Sequence, residues 1–223
     1  MKLINFSRAL CLSPHPDDVE ISMMGSILMN RNTQFDILCL TKGGAKGLDN
    51  TNKLNRREEV DQVWGSVEAP NVTLIHSKFD YFEDTTEPGW INYIEKNFIE
   101  KTPYDALFIP TETDSMLEHR LVNRLGPPLC RKRSTLSKSP LSLIEYYAPS
   151  TLNAWTPNLF INISEYLDIK IKALSYLTSQ IAKNNGYLDE SVLRSFHCNY
   201  QCSKKGWHHV EQFKIVEIFG NIL

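Results

Sequence analysis

The sequence predicts an α/β fold, a mostly parallel sheet with helices on both faces. Three observations support it. Apolar runs recur through the first 130 residues with helical segments between them, the alternation that a covered parallel sheet requires. The runs close on turn residues, most clearly at Gly43-Gly44. At 223 residues, 42% apolar and 22% charged, the chain has the size and composition of one soluble domain, residues 1–223, with a sizeable core.

The first strand runs from Ala9 to Ser13, and the first helix over about Val19 to Asn30. Phe35 to Thr41 makes the second strand. A charged helix from about Leu54 to Val67 precedes a strand at Val72 to His76. A helix near Trp90 to Ile99 leads to the fourth strand at Ala106 to Pro110, and His119 to Cys130 reads as helix. The polar run Arg131 to Ser139 reads as a solvated loop, its Arg131-Lys132-Arg133 cluster being too short to argue for nucleic acid. Beyond it the order is less regular. Leu141 to Tyr147 and Leu159 to Ile163 read as strands, and Ile169 to Gln180 as an amphipathic helix with Ile171, Leu174 and Leu177 inward.

Charge and composition narrow the function. A formal charge of −2 and a pI of about 6.3 supply no global basic field, so neither nucleic acid nor an anionic membrane surface is expected as partner. Only Lys2 precedes Leu3 and Ile4, the run Ala9 to Leu12 is too short for a signal segment, and no stretch reaches the roughly 18 apolar residues of a membrane span. A cytoplasmic location is the simplest expectation. Five cysteines, with Cys11 and Cys39 inside apolar strand-like runs, do not indicate a disulfide framework.

Two segments carry chemistry. Ser13-Pro14-His15-Pro16-Asp17-Asp18-Val19-Glu20 stands where the first strand ends and the first helix begins, at the sheet edge where open α/β folds bind ligands. Helix capping by Asp17 or Asp18 is the alternative on this segment alone. Pro110 to Arg120 follows the fourth strand and emerges at the same edge. One imidazole and one carboxylate from the first segment plus His119 from the second make three ligands with a vacant fourth position, as catalytic zinc needs, and a second carboxylate is left over to act as base.

These segments resemble the LmbE/PIG-L deacetylases, whose first motif is a His-Pro-Asp-Asp tetrapeptide after the first strand; the match at His15 to Asp18 is complete. The family's second motif, commonly Asp-Thr-His-Gln-Asp-His-Arg, meets Asp114-Ser115-Met116-Leu117-Glu118-His119-Arg120 here. Further agreement lies in Arg56-x-x-Glu59 ahead of Trp64-Gly65, in Phe160 to Ser164, in Lys172-Ala173-Leu174 leading to Ser179-Gln180, and in Glu211-Gln212-Phe213. The resemblance covers essentially the whole chain. It implies a Rossmann-like, LmbE-like fold, with His15, Asp18 and His119 as metal ligands and Asp17 as general base. It further implies Arg56 at the substrate, against the local alternative of an i to i+3 pair with Glu59 on an exposed helix; Asp114 is a candidate for a sugar hydroxyl.

The chain departs from the family at Met116, which stands where the family's motif has its first histidine, and at Leu177, where a later histidine precedes Ser-Gln. A thioether donates no hydrogen bond and carries no transferable proton. Asp17 recycling its proton, Glu118, or a histidine of the C-terminal segment are the candidates to substitute. That segment holds His197, Cys198, Cys202, His208 and His209, enough donors for a structural zinc site; the alternative is a mobile loop that edges the cleft together with Trp207. Gly43-Gly44-Ala45-Lys46-Gly47 lacks the ending and spacing of a phosphate loop, and His-Pro-Asp-Asp occupies the turn where a dinucleotide fingerprint needs glycines.

The resemblance therefore implies a metal-dependent hydrolase that removes an acyl group, acetyl first among them, from the amine of an amino sugar or sugar conjugate. Zn2+ is the expected ion, though two histidines and an aspartate also suit Fe2+ or another divalent ion. A homo-oligomer is compatible with this reading. The rival expectations are an impaired sugar-binding paralogue that lost turnover with Met116, and an amidase for a thiol conjugate or antibiotic intermediate.

Overall fold

A computed structural model describes residues 6–44, 46, 56–131, 140–182 and 186–219. Leu54, Asn55, Ala45, Gly47 and residues 132–139 of the expected polar loop lie outside these, as do residues 1–5. One seven-stranded sheet organises the rest, in the order β3-β2-β1-β4-β5-β7-β6. Its strands are β1 (Arg8–Ser13), β2 (Gln34–Cys39), β3 (Val72–His76), β4 (Ala106–Pro110), β5 (Ser142–Tyr146), β6 (Leu159–Asn162) and β7 (Val210–Glu217). The first five are parallel; β7 pairs antiparallel with both β5 and β6.

The helices are α1 (Asp18–Met29), α2 (Arg56–Gly65), α3 (Glu87–Ile94), α4 (Leu117–Cys130), α5 (Leu167–Leu174), α6 (Thr178–Ala182), α7 (Glu190–Phe196) and α8 (Tyr200–Ser203). They cover both faces because the central strands alternate two apolar sets. Ala9, Cys11, Ile37, Phe108 and Ile144 face one core, shared with Met23, Met24 and Ile27 of α1, Val60 and Val63 of α2, and Leu174 of α5. Leu10, Leu12, Leu38, Leu107 and Ile109 face the other, filled by Trp90 and Ile94 of α3 and Val122, Leu125 and Leu129 of α4. Gly126 lets α4 lie close on the sheet, since a Cβ there would collide with Ile109 and crowd Leu143. Among the described residues no helix is long and apolar enough to cross a membrane. All five cysteines are free thiols.

The alternating order expected through residue 130 is the observed one, with α3 starting at Glu87 and continued by a π-helical segment, Glu95–Ile99. The C-terminal third differs. The single helix expected from Ile169 to Gln180 is two, because Glu59 of α2 accepts bonds from the Thr178 hydroxyl (2.7 Å), the Ser179 N–H (2.7 Å) and the Ser179 hydroxyl (2.6 Å), which fixes a new helix start. Ile171 is only partly buried, and Lys170 is the residue of α5 wholly removed from solvent. Its ammonium donates to Glu211 of β7 (2.7 Å) and to the Ile21 carbonyl (2.6 Å), while Glu211 also accepts from the Gly25 and Ser26 N–H groups of α1. Strand β7 itself was not expected, its run Val210–Glu217 being broken by charged and polar residues, one of which, Glu211, points inward.

Removing one member of a buried ion pair leaves the other charge uncompensated, at a cost of ~3–5 kcal/mol. Lys170→Met is therefore expected to lower unfolding stability by an amount in that range, and Lys170→Met combined with Glu211→Gln to lose less than the single substitution. Urea denaturation of the three proteins checks it.

Candidate active site

The sheet order reverses direction at β1, where the neighbours are β2 on one side and β4 on the other. The chain leaves β1 for α1 on one face and β4 for α4 on the opposite face, so the turns after these two strands bound a crevice at the carboxyl edge. Both sequence segments singled out above stand there.

The turn after β1 is built by its own polar groups. The Ser13 hydroxyl donates to the His15 carbonyl (2.7 Å) and the His15 N–H donates to Asp18 Oδ2 (2.7 Å). The Thr41 hydroxyl, from the end of β2, donates to the Pro14 carbonyl. Among the described residues Asp17 alone, apart from glycines, has a positive φ, 115°, a conformation that an L side chain adopts only when its surroundings impose it. That conformation turns Asp17 and Asp18 to different partners.

Asp18 meets two imidazoles. His15 Nδ1 lies 3.2 Å from Asp18 Oδ2, and His119 Nε2 lies 3.2 Å from Asp18 Oδ1. One ligand-capable atom from each of the three residues falls within 4.8 Å of the others, and all three residues are buried. The donor set fits a divalent ion. His119 Nε2 is buried and makes no aligned hydrogen bond, its approach to Asp18 being the wrong shape for one. Its Nδ1 is held by Asp114 Oδ2 (3.0 Å), the outer carboxylate that metal-binding imidazoles characteristically engage. Burial alone would raise the Asp18 carboxyl, but the His119 and His15 imidazoles outweigh it and hold it well below the usual carboxylate range. Burial works against a charged His119, yet Asp18 and Asp114 raise it to about 10.

Asp17 is set apart from that group. Burial raises its carboxyl above the ordinary value although the Arg56 guanidinium opposes the shift. One Arg56 nitrogen donates to both Asp17 oxygens (2.9 Å each) and to the Pro16 carbonyl (2.8 Å), and the Tyr187 hydroxyl stands 3.4 Å from Asp17 Oδ2. Gly43 (φ 78°) leaves the space that the guanidinium fills. Arg56 thus faces the cleft and does not pair with Glu59, whose oxygens are spent on α6.

Together His15, Asp17, Asp18, Arg56, Met116 and His119 line a cleft of about 500 Å³, closed on its far side by Ser150, Gln180 and Tyr187. Asp114, expected at a sugar hydroxyl, does not line it. It is 1% exposed, and its carboxylate accepts from the Met116 N–H (2.8 Å) and the Ser150 hydroxyl (2.9 Å) as well as facing His119. Met116 is 40% exposed and Leu177 is buried, so neither place brings an imidazole to the cleft.

The C-terminal segment also differs from expectation. His197 is buried, kept neutral by its burial, with Nδ1 3.2 Å from the Val210 carbonyl; Cys198 bridges to His209 as a short strand contact; and among the described residues none from 197 to 209 lines the cleft. Among the described residues, His15, Asp18 and His119 form the one group able to hold a metal ion, so neither a second zinc site nor a substitute histidine arises there. Tyr187 and Ser150 went unnoticed in the sequence because each lies in a turn with no motif around it. Gln180 was visible only as part of the Ser179-Gln180 agreement.

Residues 10–130 match the family described as PIG-L, GlcNAc-PI de-N-acetylase. The chain is 26% identical, over 94% of its length and 83% of the relative's, to diacetylchitobiose deacetylase of Thermococcus kodakarensis. Its fold is similar to that of N,N'-diacetylchitobiose deacetylase from Pyrococcus horikoshii, with a TM-score of 0.72 at 21% identity over 96% of this chain and 85% of that one. It is also similar to GalB, the 4-carboxy-2-hydroxymuconate hydratase of Pseudomonas putida, with a TM-score of 0.71 at 14% identity over 97% and 100%.

A titration close to the cleft is open to measurement. Glu20, 1% exposed on the first turn of α1, accepts from Trp64 Nε1 (2.6 Å) while its second oxygen has no partner among the described residues; burial raises its carboxyl from 4.5 to about 7. The folded chain then binds this proton more tightly than the unfolded chain does. The associated stability is full below pH 4.5 and is lost as pH rises through 7. Glu20→Gln removes the ionisation, so the stability of the variant relative to the parent should rise between pH 4.5 and pH 8, by on the order of 3 kcal/mol. Denaturation of both proteins in chelator across that range reads it.

Proposed function

The chain belongs to the PIG-L family of GlcNAc-PI de-N-acetylases, and from that premise we propose that it is a metal-dependent hydrolase removing an acyl group from the amine of an N-acylated amino sugar or sugar conjugate. The observation that carries the proposal is the convergence of His15, Asp18 and His119 on one point of the cleft, with the carboxylate of Asp17 beside them but not among them. The similar chitobiose deacetylases act on acetylated sugars by name, and the substrate class follows from them. The hydratase of the same fold is a reminder that the residues, and not the architecture, must carry the chemistry.

In this reading His15, Asp18 and His119 are the metal ligands, and zinc is the ion that two imidazoles and one carboxylate with an open position suit best. When bound, a divalent ion supplies Lewis acidity toward the acyl carbonyl and toward water. Asp114 and Ser150 fix the orientation of the His119 ring. Asp17 is the general base: it takes a proton from the attacking water and returns it to the amine nitrogen as the carbon–nitrogen bond breaks. Arg56 and Tyr187 hold that carboxylate toward the reacting centre, and Arg56 is the group best placed to meet polar atoms of the sugar. Met116 supplies no proton, so the return falls to Asp17, with Glu118 the next carboxylate along the cleft wall.

Free-amine release from N-acetylhexosamines and their glycoside and nucleotide conjugates tests the proposal. Turnover of at least one substrate is expected, abolished by chelation, and reduced roughly 10²–10⁴-fold by Asp17→Asn. An intact metal site without turnover of any amide would instead support an impaired sugar-binding paralogue. A separate expectation concerns the outer carboxylate. Asp114→Asn should weaken zinc binding about 10–100-fold, as titration calorimetry would detect independently of turnover.

A further inference from the structure

A second cavity, of about 200 Å³, opens beside the cleft and shares Glu118 with it. Its apolar walls are Phe82, Trp90, Leu117, Leu121 and Leu125, and Thr85 with the carboxylates of Glu83, Glu87 and Glu118 complete the lining. The aromatic floor is fixed in place: the Trp90 indole N–H donates to the Phe82 carbonyl and the two rings pack 5.5 Å apart, so the space is preformed and its one indole polar group is satisfied. Phe82 also packs edge-on against the His15 imidazole, with centroids 6.3 Å apart, and Leu117 and Glu118 immediately precede His119. The cavity therefore abuts two of the three residues that converge in the cleft. Met116, which lines the cleft, and Leu117, which lines the cavity, are 40% and 55% exposed apolar side chains adjacent in the chain.

We infer that this cavity is an acyl pocket and that the substrate carries an N-acyl chain longer than acetyl, of about four to six carbons. The inference rests on the proposed hydrolase reading and adds the identity of the group removed. The amide carbonyl must reach the His15, Asp18 and His119 group, and an acyl chain begins one bond from that carbonyl, next to Phe82 and the turn before His119. The sugar and any aglycone extend from the nitrogen side, toward Arg56, Gln180 and Tyr187. Methionine at 116 fits the same purpose: it lines the cleft next in the chain to Leu117 of the cavity wall, where an imidazole would set a polar ring in place of a thioether. Three carboxylates, Glu83, Glu87 and Glu118, line this cavity, and Glu87 is already engaged by Arg124 (3.0 Å), so the lining disfavours a phosphate or carboxylate at that position.

The test compares N-acetyl-, N-butanoyl- and N-hexanoylglucosamine. Each buried methylene is worth about fourfold, so kcat/KM should rise at least tenfold from acetyl to hexanoyl. Leu121→Trp, which fills the cavity from outside the cleft, should erase that rise while acetyl turnover stays within about twofold. Leu121→Ala, which enlarges the cavity, should shift the optimum to a longer chain, and it serves if the tryptophan variant fails to fold. Binding supplies a second readout: Asp17→Asn protein should bind N-hexanoylglucosamine at least tenfold tighter than N-acetylglucosamine by calorimetry. Acetyl turnover with a flat or falling acyl series overturns the acyl pocket and leaves the hydrolase reading standing. A preference that follows alkyl glycosides and disappears in Leu121→Trp also overturns it, by assigning the cavity to the aglycone. No turnover and no binding of any of these amides overturns both readings.

Discussion

The parallel pairing of β1 with β4 is the constraint on which the site depends. These strands are neighbours although α1, β2, α2, β3 and α3 lie between them in the chain, and their connections leave toward opposite faces. The turns after them must therefore part, and the gap is the cleft. The register, Ala9 beside Ala106 and Cys11 beside Phe108, is set by burial on both faces: Leu10, Leu12, Leu107 and Ile109 belong to one core, Ala9, Cys11 and Phe108 to the other. A slip of two residues would keep every side chain on its face yet move the second turn by roughly 7 Å. That exceeds the 4.8 Å within which the His15, Asp18 and His119 atoms converge, so the packing of Leu and Ile residues far from the cleft decides whether the three can meet.

Buried polar groups then hold the cleft's walls in place. Glu59 fixes the start of α6, which carries Gln180. Lys170 and Glu211 clasp α1 from behind, at the point where Gly25 leaves room for a carboxylate. Tyr146, fully buried on β5, donates to the Leu12 carbonyl across β4. Taking such charges out of water is costly and seldom adds net stability. What they add here is position: each replaces an apolar contact that tolerates sliding with a directional one that does not, and each joins elements distant in the chain.

Much of this was legible in the sequence. The five parallel strands and their helices follow from apolar runs that must be buried on both faces, and His15, Asp18 and His119 stand together because a His-Pro-Asp-Asp turn and a His-Arg helix start both follow strands at one edge. The C-terminal third was less legible for a physical reason. Strand β7 carries a glutamate inward and α5 carries a lysine inward, and each is hidden by its partner, so neither element shows the apolar periodicity that burial usually imprints. The same holds for Glu59 and Asp114: an i to i+3 charge pair and a carboxylate two residues from a methionine look solvent-facing in a sequence, and only the fold reveals that backbone N–H groups and an imidazole claim them. His197 misled in the opposite sense, a potential ligand by its neighbours and a packed core residue in fact.

The substitution of Met116 for an imidazole concentrates the proton traffic of the proposed reaction on one carboxylate. A base that must also return its proton works best when its affinity lies between that of the water it deprotonates and the amine it protonates. Asp17 is tuned by opposed effects, burial raising its carboxyl and Arg56 lowering it, with the positive φ of its own backbone maintaining the geometry in which both act. A histidine at position 116 would relieve Asp17 of the second transfer in that reaction; with methionine there, the carboxylate serves both. In the proposed reaction Met116 thus removes one proton donor from the cleft, and the carboxylate held by Arg56 and Tyr187 must serve both transfers.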